Sequence, residues 1–325
     1  MPKHSTDFTT KLVNGLLGID PLARLLKHQA RSMMIKRAET IGVFWHQEAN
    51  ALRWRDAASD SHSADVGQEV AAGWLETFKT VTRPELDYPS YYLQPFHAYA
   101  EGNLGWLPAL EVEVAAKAVH ARIWPEAGAE GDAWLRRSYH EALRQQLPTA
   151  PQQIVDLGCS VGMSTFTLQE CYPQAELTGV DLSPYFLAVA HYRDQQRLAQ
   201  GSGDSAVHWV HAPAEATELP AASFDLVSAC LVFHELPQSA AYGILQEARR
   251  LLRSGGHVAI MDMNPQSETF AKMPPYVLTL LKSTEPYLDE YFGLEIPEIL
   301  QSLGFDRPQV TLNSPRHRTI VAQAL

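Results

Sequence analysis

The most specific chemistry in this sequence lies in two acidic residues and the glycine turn between them. The run Asp156-Leu-Gly-Cys-Ser-Val-Gly162 sets a carboxylate just ahead of Gly158 and Gly162. Such glycines let a backbone turn sharply and come close to a bound molecule. A helix that follows aims its free N–H groups at the same place. Asp181 is a second acid, able to accept from both hydroxyls of a ribose. Farther on, His234 has Glu235 beside it, and an imidazole near neutral pKa is suited to act as a general base. The aromatic run Tyr88-Pro-Ser-Tyr-Tyr-Leu-Gln-Pro-Phe-His-Ala-Tyr99 offers Tyr91, Tyr92, His97 and Tyr99 as candidate acceptor contacts. Asp262 is a further candidate on the same side. The three cysteines, Cys159, Cys171 and Cys230, form no CxxC pair, so neither a disulfide framework nor a cysteine zinc site is expected. No metal site is expected either.

These groups need elements to hold them, and the two halves of the chain differ in pattern. Up to about Leu147 the apolar residues recur mostly at helical spacing. Leu12 to Met34 reads as two helices broken near Gly18 and Pro21. Glu39–Ala57, Gly67–Lys79, Pro108–Trp124 and Asp132–Leu147 read as further helices, with the proline-rich aromatic run as an extended loop among them. From Gln152 short β-branched runs alternate with amphipathic stretches. Strands are expected at Ile154–Asp156, Glu176–Asp181, Val207–His211, Phe224–Val232 and Val258–Met263. Helices are expected after Gly162, at Pro184–Gln200 and at Gln238–Leu252, the last stopped by Gly255-Gly256. Helical segments at Pro275–Leu281 and Ile296–Leu303 precede two closing strands, Gln309–Leu312 and Thr319–Gln323, that read as a hairpin. Such alternation implies a doubly wound α/β domain, a parallel sheet covered on both faces.

In such sheets ligands bind beyond the carboxyl ends of the strands, at the switch point beside the first one. A dinucleotide fingerprint needs G-x-G-x-x-G. Counted from Gly158, the required glycines fall on Ser160 and Met163, so that template fails. There is no Gly-Lys-Ser/Thr either, so a P-loop fails too. What remains is an acid at a strand end, a short glycine turn and a second acid closing the next strand.

Ile154–Thr165, Val180-Asp-Leu-Ser, Ala214-Glu215, Leu219-Pro220, Ser223-Phe-Asp-Leu-Val, His234-Glu-Leu and Leu251-Leu-Arg-Ser-Gly-Gly256 stand in this order along the chain. Together they resemble the class I S-adenosylmethionine-dependent methyltransferases, particularly the group that includes the ubiquinone and menaquinone methyltransferases. The resemblance covers about Pro148 to Leu325. It implies a seven-stranded sheet under an N-terminal α-helical domain, with domains at 1–147 and 148–325. It further implies that Asp156 and the backbone of Gly158, Cys159, Ser160 and Gly162 hold the methionine moiety. Asp181 would bind the ribose, Leu182 would pack on the adenine, and Ala214 and Glu215 would edge it. Cys230 and Leu231 would line the passage to the acceptor. The product would be S-adenosylhomocysteine. Ser160 departs from the family's usual glycine, and Pro213 stands where an Asp often meets the adenine amine.

Composition sets the outer bounds. The chain has 325 residues, 46% hydrophobic and 19% charged, which is globular and excludes general disorder or a collagen-like chain. Lys+Arg number 26 and Asp+Glu 37, a net charge of −11, which argues against broad nucleic-acid binding. Amino methylation of DNA or glutamine is also disfavoured. The Asn/Asp-Pro-Pro-aromatic motif of those enzymes is absent after the fourth strand, where Ala229-Cys-Leu-Val-Phe-His234 stands, and Met273-Pro-Pro-Tyr276 follows the fifth strand instead. No apolar run reaches the length of a membrane span, so a soluble, cytoplasmic protein is expected. Seven Lys/Arg in the first 38 residues (Lys3, Lys11, Arg24, Lys27, Arg31, Lys36 and Arg37) raise peripheral contact with an anionic membrane, against the plainer account of a helix packed on its own domain or on a partner chain. The expected function is methyl transfer to oxygen, nitrogen or carbon of a small, ring-bearing or quinone-like metabolite, with the helical half as a lid and His234 as the base. The alternatives are a non-catalytic cofactor-binding regulator and, more distantly, a dehydrogenase.

Overall fold

A computed structural model describes residues 31–55, 70–97, 99–201 and 205–325. The helices expected between Leu12 and residue 30, and the basic residues before Arg31, lie outside these. The helical half contributes α1 (31–40), α2 (Trp45–Arg53), α3 (Ala72–Val81), α4 (Trp106–His120) and α5 (Gly131–Gln146). The α/β half then runs β1 (Gln153–Leu157), α6 (Met163–Cys171), β2 (Glu176–Asp181), α7 (Pro184–Ala199), β3 (His208–His211), β4 (Phe224–Cys230), α8 (Gln238–Leu251) and β5 (Leu252–Met263). It closes with α9 (Glu268–Ala271), α10 (Pro275–Thr284), α11 (Leu288–Phe292), α12 (Ile296–Ser302), β6 (Gln309–Thr311) and β7 (His317–Gln323).

The seven strands lie in the order β3-β2-β1-β4-β5-β7-β6. β1 to β5 pair in parallel, while β7 is antiparallel to both β5 and β6. The sheet therefore winds outward in two directions from β1 and β4, leaving a crevice where their carboxyl ends part. Alternation along β1 assigns its faces. Ile154 packs with Leu135, Tyr139 and Leu143 of α5 and Leu168 of α6. Val155 and Leu157 pack with Ala241, Ile244 and Leu245 of α8.

Two differences from the sequence reading have local causes. The helix α8 does not run on to the glycine pair, because Leu252 is already extended and begins β5. Phe224 pairs with Leu252 and Leu226 with His257, so β5 spends extra residues between those rungs. Gly255, at φ 85°, gives the left-handed backbone that this bulge needs. The glycines thus bend a strand rather than end a helix.

The second difference concerns α5, counted in the sequence with the helical half. It lies on the sheet face, with the Tyr139 hydroxyl 3.0 Å from Ser228 Oγ and 3.2 Å from the Ala259 carbonyl. The carboxyl edge is crossed instead by the aromatic segment. Tyr88 Oη lies 3.3 Å from Nε2 of His211, the last residue of β3, the Tyr91 hydroxyl donates to Glu215 at 2.6 Å, and the Ser183 hydroxyl donates to the Asn103 carbonyl at 2.6 Å. α2, α3 and α4 support it through a core of Trp74, Trp106 and Leu52 against Phe186 and Val189 of α7.

Candidate functional site

The crevice is built from the turn after β1. The Gly158 and Cys159 N–H groups both donate to the Val180 carbonyl, at 2.8 and 3.0 Å, which ties the turn to β2. Gly158 and Gly162 have φ of 70° and 85°, and a Cβ on Gly158 would stand 2.7 Å from Val232 Cγ2. Ser160 also adopts a left-handed φ, 52°, which costs an L-residue about 1–2 kcal/mol. Its N–H donates to Asp181 Oδ2 at 2.7 Å, and its buried hydroxyl has no hydrogen-bond partner among the described residues.

Asp156 is 1% exposed. Its Oδ2 accepts from Ser164 and Thr165 of α6 at 2.7 and 2.8 Å, whereas Oδ1 makes no close hydrogen bond among the described residues. Burial raises its pKa against the Ser164, Thr165 and Ser228 hydroxyls and the nearby Arg136 charge. Asp181 takes Ser160 N–H on one oxygen and Ser183 N–H on the other, at 2.7 and 2.8 Å. Burial still lifts its carboxyl to about 6. Leu182 is buried beside it, its carbonyl 3.0 Å from His211 Nε2. Ala214 packs on the core near β4, and Glu215 holds Tyr91. Cys230 closes β4, its thiol pushed up to about 12 by burial. Leu231 follows at φ 61°, its N–H donating to the Met261 carbonyl at 2.8 Å.

A second cluster stands at the mouth of β4. His234 Nδ1 lies 2.8 Å from Asp262 Oδ1, and the His234 N–H donates to Asp262 Oδ2 at 3.2 Å. Burial lowers the pKa of this imidazole, but Asp262, with Glu285 and Glu235 near it, lifts it to about 10. The charged form is therefore favoured at neutral pH, whereas work as a base requires the neutral one. His97 Nε2 lies 2.9 Å from Glu285 Oε1 and 3.8 Å from Glu235 Oε1. Glu235 is itself lifted to about 7 by burial, against the two histidines. Tyr92 lines the cleft beside Glu235, and burial, then Asp181 and Glu235, raise its hydroxyl pKa. A cleft of about 30 Å³ opens here, lined by Tyr91, Tyr92, Gln94, Phe96, Asn103, Glu235 and Leu236. A larger cavity of about 240 Å³, beside the first turn of α7, touches none of the residues picked out from sequence.

Residues 155–260 match a family model described as a methyltransferase domain. These residues form a class I S-adenosylmethionine-dependent methyltransferase domain. The domain is similar to trans-aconitate 2-methyltransferase of Azoarcus sp. (strain BH72), at 42% identity over 107 residues, 33% of this chain and 37% of that protein. It is also similar to demethylmenaquinone methyltransferase of Thermus thermophilus, at 30% identity over 132 residues, 41% of this chain and 54% of that one. The chain thus spans about a third to a half of the length of these relatives. In fold it is similar to a Nostoc punctiforme structure described as a candidate O-methyltransferase, with a TM-score of 0.51, 20% identity, and coverage of 77% of this chain and 67% of that one.

One group in the methyltransferase domain's crevice comes from outside the matched span, and sequence reasoning missed it. Arg136 of α5 is buried. Asp132, one turn earlier, accepts from its Nε at 2.9 Å and from Nη2 at 3.3 Å. Otherwise its terminal nitrogens reach sulfur, Cys230 Sγ and Met163 Sδ, both at 3.7 Å. In sequence, Asp132 and Arg136 read as an ordinary i,i+4 surface pair. Only the seating of α5 on the sheet carries the guanidinium to the end of β4.

The residues present fit the cofactor. Asp156 is a buried carboxylate at the glycine turn, matched to an ammonium, and Arg136 Nη1, which meets the soft Cys230 sulfur while Asp132 holds Nε and Nη2, is a donor matched to a carboxylate. Together they suit an α-amino acid head group. Of the expected acceptor contacts, His97, Tyr91, Tyr92 and Asp262 come together at the second cluster. Tyr99 does not. Its hydroxyl donates to Glu111 at 2.7 Å in the core of the helical half, where Arg31 also pairs with Glu111. Asn103 joins the cluster instead, its amide 3.5 Å from Glu235. Among the described residues no helix is long and apolar enough to cross a membrane.

Proposed function

We propose that the protein transfers a methyl group from S-adenosylmethionine to a small metabolite admitted beneath the aromatic segment. The observation that carries this reading is the convergence, beside the acceptor cluster, of the left-handed glycine turn with the buried Asp156 and Asp181 carboxylates and the buried Arg136 guanidinium. Arg136 and Asp156 would fix the two ends of the amino acid head, Asp181 would accept from the ribose, and Leu182, Ala214 and Glu215 would border the adenine. When bound, the sulfonium supplies an activated methyl group.

The chain's own contribution is placement and the exclusion of water, effects that can remove several kcal/mol of barrier. His234, anchored by Asp262, is the group an acceptor meets at the mouth of β4. Tyr91 and Tyr92 would bound a flat acceptor, in keeping with a ring-bearing compound. The cleft has room for about one water molecule, so entry requires the aromatic segment to lift and later re-cover the site. The domain boundary is proposed as a functional one, with residues 1–147 supplying the cover and 148–325 the cofactor site, and with α5 of the first part reaching into the second.

The test is calorimetric titration of the full chain with S-adenosylhomocysteine, with NAD as comparison. Binding of the first alone, weakened about tenfold in Arg136→Lys, which keeps the charge but loses the fork, is the expected result. Equal affinity in that variant removes Arg136 from the site, and binding of neither ligand overturns the reading. His234→Ala should lower turnover in a labelled-methyl screen of metabolite extracts while leaving that affinity intact.

A further inference from the structure

We propose that His97, His234 and Glu285 bind a divalent transition-metal ion of the zinc class, with open coordination positions on the side of the acceptor cleft. The three residues come from separate parts of the chain: the aromatic segment, the turn after β4, and the junction between α10 and α11. The fold brings one ligand atom from each to within 4.8 Å of the others. This is the one such group among the described residues that could hold a metal ion. Two imidazoles and one carboxylate are a donor set that suits borderline divalent ions and leaves positions open for a further ligand.

A second observation is independent of that spacing. The Glu285 side chain is only 7% exposed, and its Oε2 has no hydrogen-bond partner among the described residues. A buried carboxylate oxygen left unmatched is costly unless a cation answers it. The outer shell is in place as well. Asp262 holds Nδ1 of His234 at 2.8 Å, so that a metal binding at Nε2 displaces that nitrogen's proton to solvent, and a carboxylate behind a ligating histidine fixes its ring in this way. Glu235 lies 3.8 Å from His97 Nε2. Asp262, Glu235 and Glu285 thus set three carboxylates against two imidazoles in a largely buried space. Metal–ligand bonds of about 2.0–2.2 Å require the ligand atoms to close by roughly 1 Å, within reach of side-chain rotation. An ion there would favour an acceptor that ligates it through oxygen, a consequence that rests on the methyl-transfer reading.

The test uses the full chain, stripped with a chelator and titrated with Zn²⁺ alone, with S-adenosylhomocysteine titrated into the same samples. One Zn²⁺ per chain is expected, and Co²⁺ in its place should give visible d–d absorption. His97→Ala and the near-isosteric Glu285→Gln should each weaken Zn²⁺ binding at least about 100-fold, and Asp262→Asn about 10–100-fold, with S-adenosylhomocysteine affinity retained in all three. A control at the half-buried His191 of α7, His191→Ala, should leave Zn²⁺ binding unchanged. Absence of saturable Zn²⁺ binding, or equal binding in wild type, His97→Ala and Glu285→Gln, overturns the metal site. Zn²⁺ binding without S-adenosylhomocysteine binding would leave the metal site standing and overturn the methyl-transfer reading instead.

Discussion

At the scale of single residues, Asp181 carries a pH dependence whose sign can be worked out. Burial lifts its folded-state carboxyl to about 6, against the pull of the Ser183 and Ser160 N–H groups, whereas an unfolded Asp titrates near about 3.9. Its neutral form is therefore the one the ligand-free fold favours. The stability it contributes is full below about pH 4 and is lost as pH rises through about 6. Ribose hydroxyls would donate to the carboxylate and favour the charged form. Affinity for S-adenosylhomocysteine should then fall as pH drops through about 6. Calorimetry between about pH 5 and 8 checks this, and Asp181→Asn should give a flat profile. A slope that persists in the variant would assign the titration to another group. Asp156, Gly158, Gly162 and Asp181 were legible in the sequence because their chemistry is local: an acid at a strand end and a turn that needs glycine. Arg136 was not, because its role depends on which face α5 turns to the sheet.

At the scale of elements, Ser183 links cofactor edge and cover. Its hydroxyl accepts from the Phe186 N–H at 3.3 Å as the cap of α7, and donates to the Asn103 carbonyl in the covering segment at 2.6 Å. Ser183→Ala removes both, and a lost cap with a lost hydrogen bond costs about 1–2 kcal/mol. The denaturation midpoint should fall with an unchanged slope against denaturant, and an unchanged midpoint would mean that neither bond matters in solution. β2 matches its expected span, Glu176–Asp181, because alternation and a terminal acid mark it on both sides. Gly255-Gly256 misled because a glycine pair after a helical pattern reads alike whether it caps the helix or bulges the next strand. The pairing partner, β4, decides between them.

At the scale of the whole molecule, cofactor binding and folding are linked. A ligand that binds only the folded state at about a hundred times its dissociation constant adds about 2.7 kcal/mol. Saturating S-adenosylhomocysteine should therefore raise the melting temperature by several degrees, and a scan with no shift would count against the crevice as its site. The raise should be smaller at an equal ligand concentration in Arg136→Lys, whose affinity is lower.

The α/β class, the strand and helix order of the second half, and the glycine turn with its two acids could be read along the chain without its fold. Each of these is written in short-range periodicity and in residue types that a single turn requires. Tertiary structure alone decided that β7 inserts between β5 and β6, because a hairpin signal does not say which of its strands meets the sheet. It alone set α5 on the sheet, drew the aromatic segment over the carboxyl edge and joined His97, His234 and Glu285 from three distant segments. Contacts of that kind depend on how apolar faces match across the core, and no local pattern in the chain records that match.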